Sequence, residues 1–177
     1  MKLMRFTCCG KTCCLECDNN VMKSTMPDDL KNRCHQCRKP TPTTDKGQIE
    51  QLREWVDKGE AWAQAMMAQW YREGKYGLKQ SYVMARMLFE KAVAQGDPDA
   101  MCNLAFMYHD GRGVAQSLKK AAELYALAAN QGHANAQCNL GVLYYHGNGV
   151  AQSNAIARKW WLKAALQEVE EAIGNLK

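Results

Sequence analysis

The sequence predicts an all-α protein, an α-solenoid of helix pairs preceded by a small cysteine-rich segment. Three observations predict this: a repeat of 36 residues, apolar residues at helical spacing inside each copy, and cysteines crowded into the first 37 positions. At 177 residues the chain can form one ordinary domain or two small ones. Its hydrophobic content of 47% and charged content of 23% are globular values.

The repeat appears in two blocks of sequence. Residues 101–104 (MCNL) return as 137–140 (QCNL) and again as 173–176 (IGNL). Residues 111–117 (GRGVAQS) return as 147–153 (GNGVAQS). An earlier copy begins near Ala61 and carries one extra residue in its turn. The recurrence predicts about 3.5 stacked units, because a single helix pair cannot bury both of its faces.

The spacing of apolar residues within each unit predicts two antiparallel helices. We expect first helices at 60–73, 98–109 and 134–146, and second helices at 81–95, 117–131 and 153–166. Ser81, Ser117 and Ser153 precede the second helices, where a hydroxyl can accept a hydrogen bond from a free backbone N–H group. A lead-in helix is expected at 49–58, completing a solenoid over residues 49–177.

The last copy leaves two alternatives open. Either residues 168–177 form a capping helix, or the native array is longer. Glu168 stands where the earlier copies have Gly96 and Gly132, so the last junction is expected to differ from the others. Cys102 and Cys138 occupy equivalent positions of two copies and are expected to be small packing residues.

The cysteine-rich segment, residues 1–40, predicts a Zn²⁺ site, and residues 41–48 form a linker. Cys14-x-x-Cys17 and Cys34-x-x-Cys37 are separated by 16 residues, a spacing typical of zinc sites. Nearby lysines and arginines would favour the thiolates that bind the metal. The alternative is a tail of reduced cysteines without a metal.

The charge distribution bears on possible partners. Residues 1–46 contain 9 Lys and Arg against 5 Asp and Glu, whereas the remainder is nearly neutral. This modest basic excess has no interleaved aromatic residues, so nucleic acid is not the expected partner. No apolar stretch approaches the length of about 20 residues that spans a bilayer, and we expect no membrane partner. The start lacks a signal-peptide core, which predicts an intracellular protein, cytoplasmic or nuclear.

Residues 55–177 resemble the Sel1-like repeat. The pattern is Ala-x-x-Asn-Leu-(Ala/Gly)-x-x-Tyr-x-x-Gly-x-Gly-Val, followed by Lys-Ala and an aromatic-rich second helix. The resemblance implies a right-handed α-superhelix, related to tetratricopeptide repeats, that serves as an adaptor or scaffold for another protein.

The cysteine-rich segment resembles the later part of a RING finger. Cys8–Cys17 is similar to its middle ligand block, and Cys34–Arg38 is similar to its last ligand pair with the following arginine. The first CxxC pair is missing, Lys11 replaces the usual histidine, and His35 replaces a proline.

Two ligand assignments follow and remain open. An interleaved RING would join Cys34 and Cys37 to Cys8 and Cys9. A simple zinc ribbon would instead join Cys34 and Cys37 to Cys14 and Cys17 in one site.

Three functions therefore stand at this point, of which nucleic-acid binding through the basic cysteine-rich segment is the least favoured. The first is a protein-interaction scaffold with a structural zinc module. The alternative is a RING-type ubiquitin ligase, in which the segment recruits a ubiquitin-conjugating enzyme through Arg38 and the repeats hold the substrate. The sequence contains no Ser/His/Asp set, phosphate-binding glycine loop or paired carboxylates that would indicate another enzyme.

Overall fold

The computed structural model describes the backbone of residues 3–5 and 12–14, and residues 44–176. Strands β1 (Leu3–Arg5) and β2 (Thr12–Cys14) pair antiparallel, with Leu3 opposite Cys14 and Arg5 opposite Thr12. The rest of the cysteine-rich segment lies outside the described residues.

Eight helices occupy residues 45–175. They are α1 (Asp45–Asp57), α2 (Ala61–Glu73), α3 (Tyr82–Ala94), α4 (Pro98–Asp110), α5 (Leu118–Asn130), α6 (Ala134–His146), α7 (Asn154–Ala165) and α8 (Glu170–Asn175). The pairs α2–α3, α4–α5 and α6–α7 confirm the predicted helix pairs, with ends that differ by a residue or two. Consecutive helices pack against each other, so a continuous apolar core runs along the stack, with Leu52, Phe89 and Leu143 among its fully buried members.

The lead-in helix begins earlier than the sequence predicts. It spans Asp45–Asp57 instead of 49–58, because the Thr44 hydroxyl accepts a hydrogen bond from the backbone N–H of Gly47 at 3.2 Å and starts the helix there. Ile49 and Leu52 are buried on its inner face and pack with α2.

The predicted serine caps are present in all three second helices. Ser81, Ser117 and Ser153 each accept a hydrogen bond, at 3.3 Å, from the backbone N–H three residues ahead. Among the first helices, Asp97 caps α4 through Ala100 N, and the imidazole of His133 caps α6 through Ala136 N. A side-chain cap therefore fixes the residue at which each of these helices begins.

The glutamine that precedes each capping serine ties the two helices of a pair together. Its Nε2 donates at 2.8 Å to a main-chain carbonyl near the end of the first helix. The three bonds are Gln80 to Arg72 O, Gln116 to His109 O and Gln152 to Tyr145 O. The sequence shows the recurrence of this residue but not its bond, which satisfies a carbonyl that has no partner within the helix.

The second glycine of the turn lets neighbouring pairs approach closely. A Cβ at Gly113 would lie 2.6 Å from Cβ of Tyr82, the first residue of α3. A Cβ at Gly149 would lie 2.7 Å from the backbone nitrogen of Lys119, at the start of α5. Both turns therefore pack on the second helix of the preceding pair, with no space for a side chain.

The last junction keeps the backbone of the earlier ones. Glu168 has φ of 63°, close to the 83° of Gly96 and the 88° of Gly132. The expectation that this junction would differ from the others is therefore wrong for the backbone, which is left-handed in all three. Short helix α8 follows, and its Ala172 is buried in the last section of the core.

Candidate functional site

A groove of about 740 Å³ crosses the first helices of successive pairs. Its walls come from the C-terminal end of α2, the start of α3, helices α4 and α6, two inter-helix turns and α8. The lining residues are Arg72, Glu73, Lys75, Gln80, Tyr82, Cys102, Asn103, Phe106, Arg112, Asn135, Cys138, Asn139 and Glu171. The groove exists because the same helix face recurs every repeat and adjacent faces form one surface.

A polar cluster forms the end of the groove nearest α2. Arg72 donates through Nη1 to Asn103 Oδ1 at 2.6 Å and through Nη2 to Glu73 Oε1 at 2.8 Å. Lys75 Nζ lies 2.5 Å from Glu73 Oε2. Asn103 in turn donates to the carbonyl of Asp99 at 2.8 Å. Arg72 thus joins two repeats, with its guanidinium held in one orientation.

The charge of Glu73 is fixed by its neighbours. Partial burial opposes ionisation of this carboxyl, but hydrogen bonds from Lys75, Arg72 and Gln69 outweigh it and lower the pKa of Glu73 to about 2. Glu73 is therefore an anion at neutral pH and is largely compensated by two cations. This end of the groove is suited to recognising charge and hydrogen-bonding groups, not to transferring a proton.

A second cluster of the same design lies one repeat further along. His109 Nδ1 lies 2.8 Å from Asp110 Oδ1, and Arg112 Nε lies 3.3 Å from Asp110 Oδ2. The Arg112 guanidinium also lies 5.7 Å from the ring centroid of Phe106. Phe106 is 38% exposed and offers an aromatic face inside the groove.

The opposite end is less charged and more enclosed. Cys138 is 2% exposed, and burial, followed by the negative charge of Glu171, raises the pKa of its thiol to about 11. Its thiol is therefore protonated and unreactive at neutral pH. Asn139 forms a hydrogen bond with the hydroxyl of Tyr125, whose pKa is raised above its usual value by burial. The packing role predicted for Cys138 is confirmed, while Cys102 is only partly buried and lines the groove.

The metal-ligating residues predicted from the sequence fall almost entirely outside the described part of the chain. Cys8, Cys9, Cys17, Cys34 and Cys37 lie outside it, and of Cys14 only the backbone is described, at the end of β2. The zinc site therefore stays a prediction. Between residues 44 and 176, no three potential metal ligands are grouped together.

The sequence-based reasoning missed the two ion-pair clusters. A signal was present, because Arg72, Glu73 and Lys75 stand 37 residues before His109, Asp110 and Arg112. The same offset of 37 residues separates Gly74 from Gly111, the glycines that follow the ends of α2 and α4. What the sequence could not show is that Arg112 of the second cluster lines the same groove as Arg72, Glu73 and Lys75.

Three segments of the chain match the Sel1 repeat, at residues 63–97, 98–133 and 134–169. Each match encloses one complete helix pair except for the first residues of α2, and together they cover more than half of the chain. The chain belongs to the Sel1 repeat family.

Solved structures of Sel1 repeat proteins resemble it over most of its length. A Sel1 repeat protein from Oxalobacter formigenes is 34% identical, with a TM-score of 0.66, over 72% of this chain and 96% of that one. A protective antigen present in uropathogenic Escherichia coli strains, displaying an SLR fold, is 30% identical with a TM-score of 0.74. That match covers 78% of this chain but only 29% of the antigen, so this chain spans less than a third of that protein.

A more distant structure shares the fold alone. Cysteine rich protein B of Helicobacter pylori is 22% identical, with a TM-score of 0.59, over 75% of this chain and 94% of that one. No curated protein sequence matches this Sel1 repeat chain. In the part of the chain that the structure describes, no helix is long and apolar enough to cross a membrane.

Proposed function

We propose that this Sel1 repeat chain is a protein-interaction scaffold that holds a segment of another protein in the groove. The supporting observation is that residues from successive repeats line one continuous groove with an aromatic face and fixed charged groups. Sel1 repeats generally mediate protein–protein interaction, which agrees with this role.

The groove chemistry favours binding over catalysis. The Glu73 carboxylate is compensated by Arg72 and Lys75, and the Cys138 thiol is protonated. Preformed ion pairs and amides in fixed orientations lower the entropic cost of binding a partner. Phe106 beneath Arg112 supplies the kind of aromatic and guanidinium contact that contributes most to interfaces.

The test is selection of peptides from a random library on the whole 177-residue chain, followed by affinity measurement with groove variants. Phe106→Ala and Arg112→Ala should each weaken a selected peptide by about tenfold or more. Leu127→Ala is the matched control, because Leu127 is 52% exposed on α5 and does not line the groove. Equal binding by all variants would place the interaction elsewhere and contradict the proposal.

We further propose that the cysteine-rich segment binds Zn²⁺ through Cys34 and Cys37 together with either Cys14 and Cys17 or Cys8 and Cys9. The support is the thiol spacing and the basic residues around it. A structural zinc site of this kind would stabilise a short segment that has few apolar residues of its own. Such thiols stay reduced in the cytoplasm or nucleus, where we propose that the protein acts.

Native mass spectrometry of freshly reduced protein counts the bound zinc ions. One ion would support a structural module on a scaffold. Two ions would favour the ligase alternative, in which Arg38 contacts a ubiquitin-conjugating enzyme, and a ubiquitin-discharge assay would then decide between them. A metal-free protein would contradict the zinc proposal and leave the groove proposal standing.

A further inference from the structure

A thiol, an imidazole and a carboxylate come together where α6 begins beside α4. The imidazole of His133 accepts a hydrogen bond at Nδ1 from the backbone N–H of Ala136 at 3.1 Å, and its Nε2 lies 3.0 Å from Asp99 Oδ1. Asp99 stands three residues before Cys102 on α4, so both side chains lie on one helix face. Cys102 is a hydrogen-bonding neighbour of the same imidazole. We call Cys102, His133 and Asp99 the thiol cluster.

The imidazole of the thiol cluster has the properties of a base. Because Nδ1 accepts a hydrogen bond, Nε2 carries the hydrogen and donates it to Asp99, which orients the ring. Burial disfavours the charged imidazole, but hydrogen bonds to Asp99 and Cys102 outweigh it and raise the pKa of His133 above its ordinary value. The His133 side chain is 16% exposed, whereas Cys102 is partly buried and lines the groove. A nucleophile, its base and the group that orients the base are therefore in contact, with the sulfur at the groove.

The next repeat has the same cysteine without the base. Cys138 on α6 is at the position of Cys102, but Val169 stands at the position of His133 and Asn135 at that of Asp99. Val169 provides no side-chain cap for α8 and packs in the same apolar cluster as Cys138. The two cysteines therefore form an internal comparison between a thiol beside an imidazole and a thiol in an apolar core.

We propose that Cys102 is a site of covalent oxidation, at which a small peroxide converts the thiol into a sulfenic acid, with His133 as the base and Asp99 as the group that orients it. Partial burial of Cys102 favours a small electrophile such as hydrogen peroxide over a bulky disulfide. Tyr125 on α5 also faces Cys102, but burial raises the pKa of its hydroxyl, which stays protonated and adds no charge beside the thiol.

The reaction is balanced within the thiol cluster and the peroxide. Nδ1 of His133 takes the thiol proton, which costs the hydrogen bond from Ala136 N, and the dipole at the start of α6 stabilises the thiolate. A sulfur electron pair then attacks one peroxide oxygen, and the S–O bond forms as the O–O bond breaks. Sulfur loses two electrons and the peroxide gains them. The hydroxide that leaves takes the proton from the imidazolium and departs as water.

The experiment is mass spectrometry of tryptic peptides from the whole 177-residue chain, treated with hydrogen peroxide and the sulfenic-acid trap dimedone. Trypsin cleaves after Arg112 and so separates Cys102 from Cys138. We expect trapping at Cys102 at pH 7 that slows about tenfold or more in His133→Asn. Asparagine is a preferred helix cap, so this variant removes the base and keeps the start of α6, which circular dichroism confirms. His146→Asn, at the other end of α6, is the matched control and should leave the rate unchanged.

The pH dependence of alkylation distinguishes activation by His133 from simple exposure of the thiol. Iodoacetamide reacts with the thiolate, so an unassisted thiol with a pKa of about 8.5 slows about tenfold for each pH unit below 8. In His133→Asn we expect Cys102 to follow this slope, whereas in the original chain its rate should change less than about threefold between pH 8 and 6.5. Asp99→Asn should give an intermediate profile.

Three results overturn the inference. The first is no dimedone adduct at Cys102 at a peroxide concentration that oxidises free cysteine. The second is an adduct that forms at Cys138 as fast as at Cys102. The third is the same pH profile of alkylation in the original chain and in His133→Asn. None of these measurements depends on a peptide bound in the groove, so the proposed function and this inference can fail separately.

Discussion

Gly141 on α6 lies directly against the indole of Trp161 on α7, so that a Cβ at Gly141 would overlap Nε1 and Cδ1 of the ring. The indole is held in place, because its Nε1 donates to the main-chain carbonyl of Cys138 at 3.2 Å. Earlier repeats have Ala68 with Phe89 and Ala105 with Tyr125 at the corresponding positions. Among the three repeats, the largest ring, that of Trp161, therefore faces the smallest residue, Gly141.

Gly141→Ala should lower the free energy of unfolding despite the better helix propensity of alanine. The propensity gain is about 1 kcal/mol, and overpacking against a fixed indole costs about 1–3 kcal/mol, so the net loss reaches up to about 2 kcal/mol. Urea denaturation measures it. In a Trp161→Tyr background, which recreates the pairing of Ala105 with Tyr125, the same substitution should become stabilising. An unchanged sign in that background would contradict this account of the packing.

Glu168→Gly should raise the free energy of unfolding by about 0.5–1 kcal/mol. Glu168 has a left-handed backbone that costs a residue with a side chain about 1–2 kcal/mol, partly offset by the greater freedom of glycine in the unfolded chain. Gly132→Ala is the reciprocal control. Its Cβ would meet nothing within 4 Å, so its expected loss, about 0.5–1 kcal/mol after the same offset, reports the backbone alone. Thermal melting of both variants tests the pair, and a destabilised Glu168→Gly would contradict it.

Gln116→Met should lower the free energy of unfolding by about 0.5–1.5 kcal/mol, because it removes the bond from Nε2 to the His109 carbonyl while keeping the side-chain length. Gln116→Glu should cost more, since a carboxylate facing that carbonyl cannot donate. The denaturant midpoints of the two variants and the original chain give this order of stability. Equal stability of the methionine variant and the original chain would show that water replaces the glutamine without loss.

Stability should depend on pH through Glu73. Its pKa is about 2 in the folded chain and has an ordinary value of 4.5, so its ionised form stabilises the fold. That contribution is complete above pH 4.5 and is lost as the pH falls from 4.5 towards 2. Glu73→Gln should therefore flatten the fall in urea midpoint over this interval. Lys75→Met, which removes one partner of the carboxylate, should flatten it partly. An unchanged slope in Glu73→Gln would contradict the assignment.

Much of the solenoid could be predicted because its signals are local. The serine caps, the turn glycines and the spacing of apolar residues all act within a few residues, and they recur three times. The sequence predicts the start of α1 four residues too late, because Gly47 and the preceding prolines indicate a linker. The Thr44 cap outweighs the low helix propensity of that glycine.

The groove was less predictable because its contacts are between repeats. Arg72 and Asn103 are 31 residues apart and meet only when α2 packs beside α4. Neither residue belongs to a sequence motif that would indicate the other as its hydrogen-bond partner.

The sequence by itself determined that this protein is a stack of Sel1-type helix pairs, since the period, the caps and the apolar faces are all encoded within single repeats. Only the tertiary structure decided which polar residues face a common groove and how a tryptophan is accommodated by Gly141. The physical reason is that local hydrogen bonds and helix propensity select each helix, whereas the groove and the tryptophan contact arise from packing between residues about 20 or more positions apart.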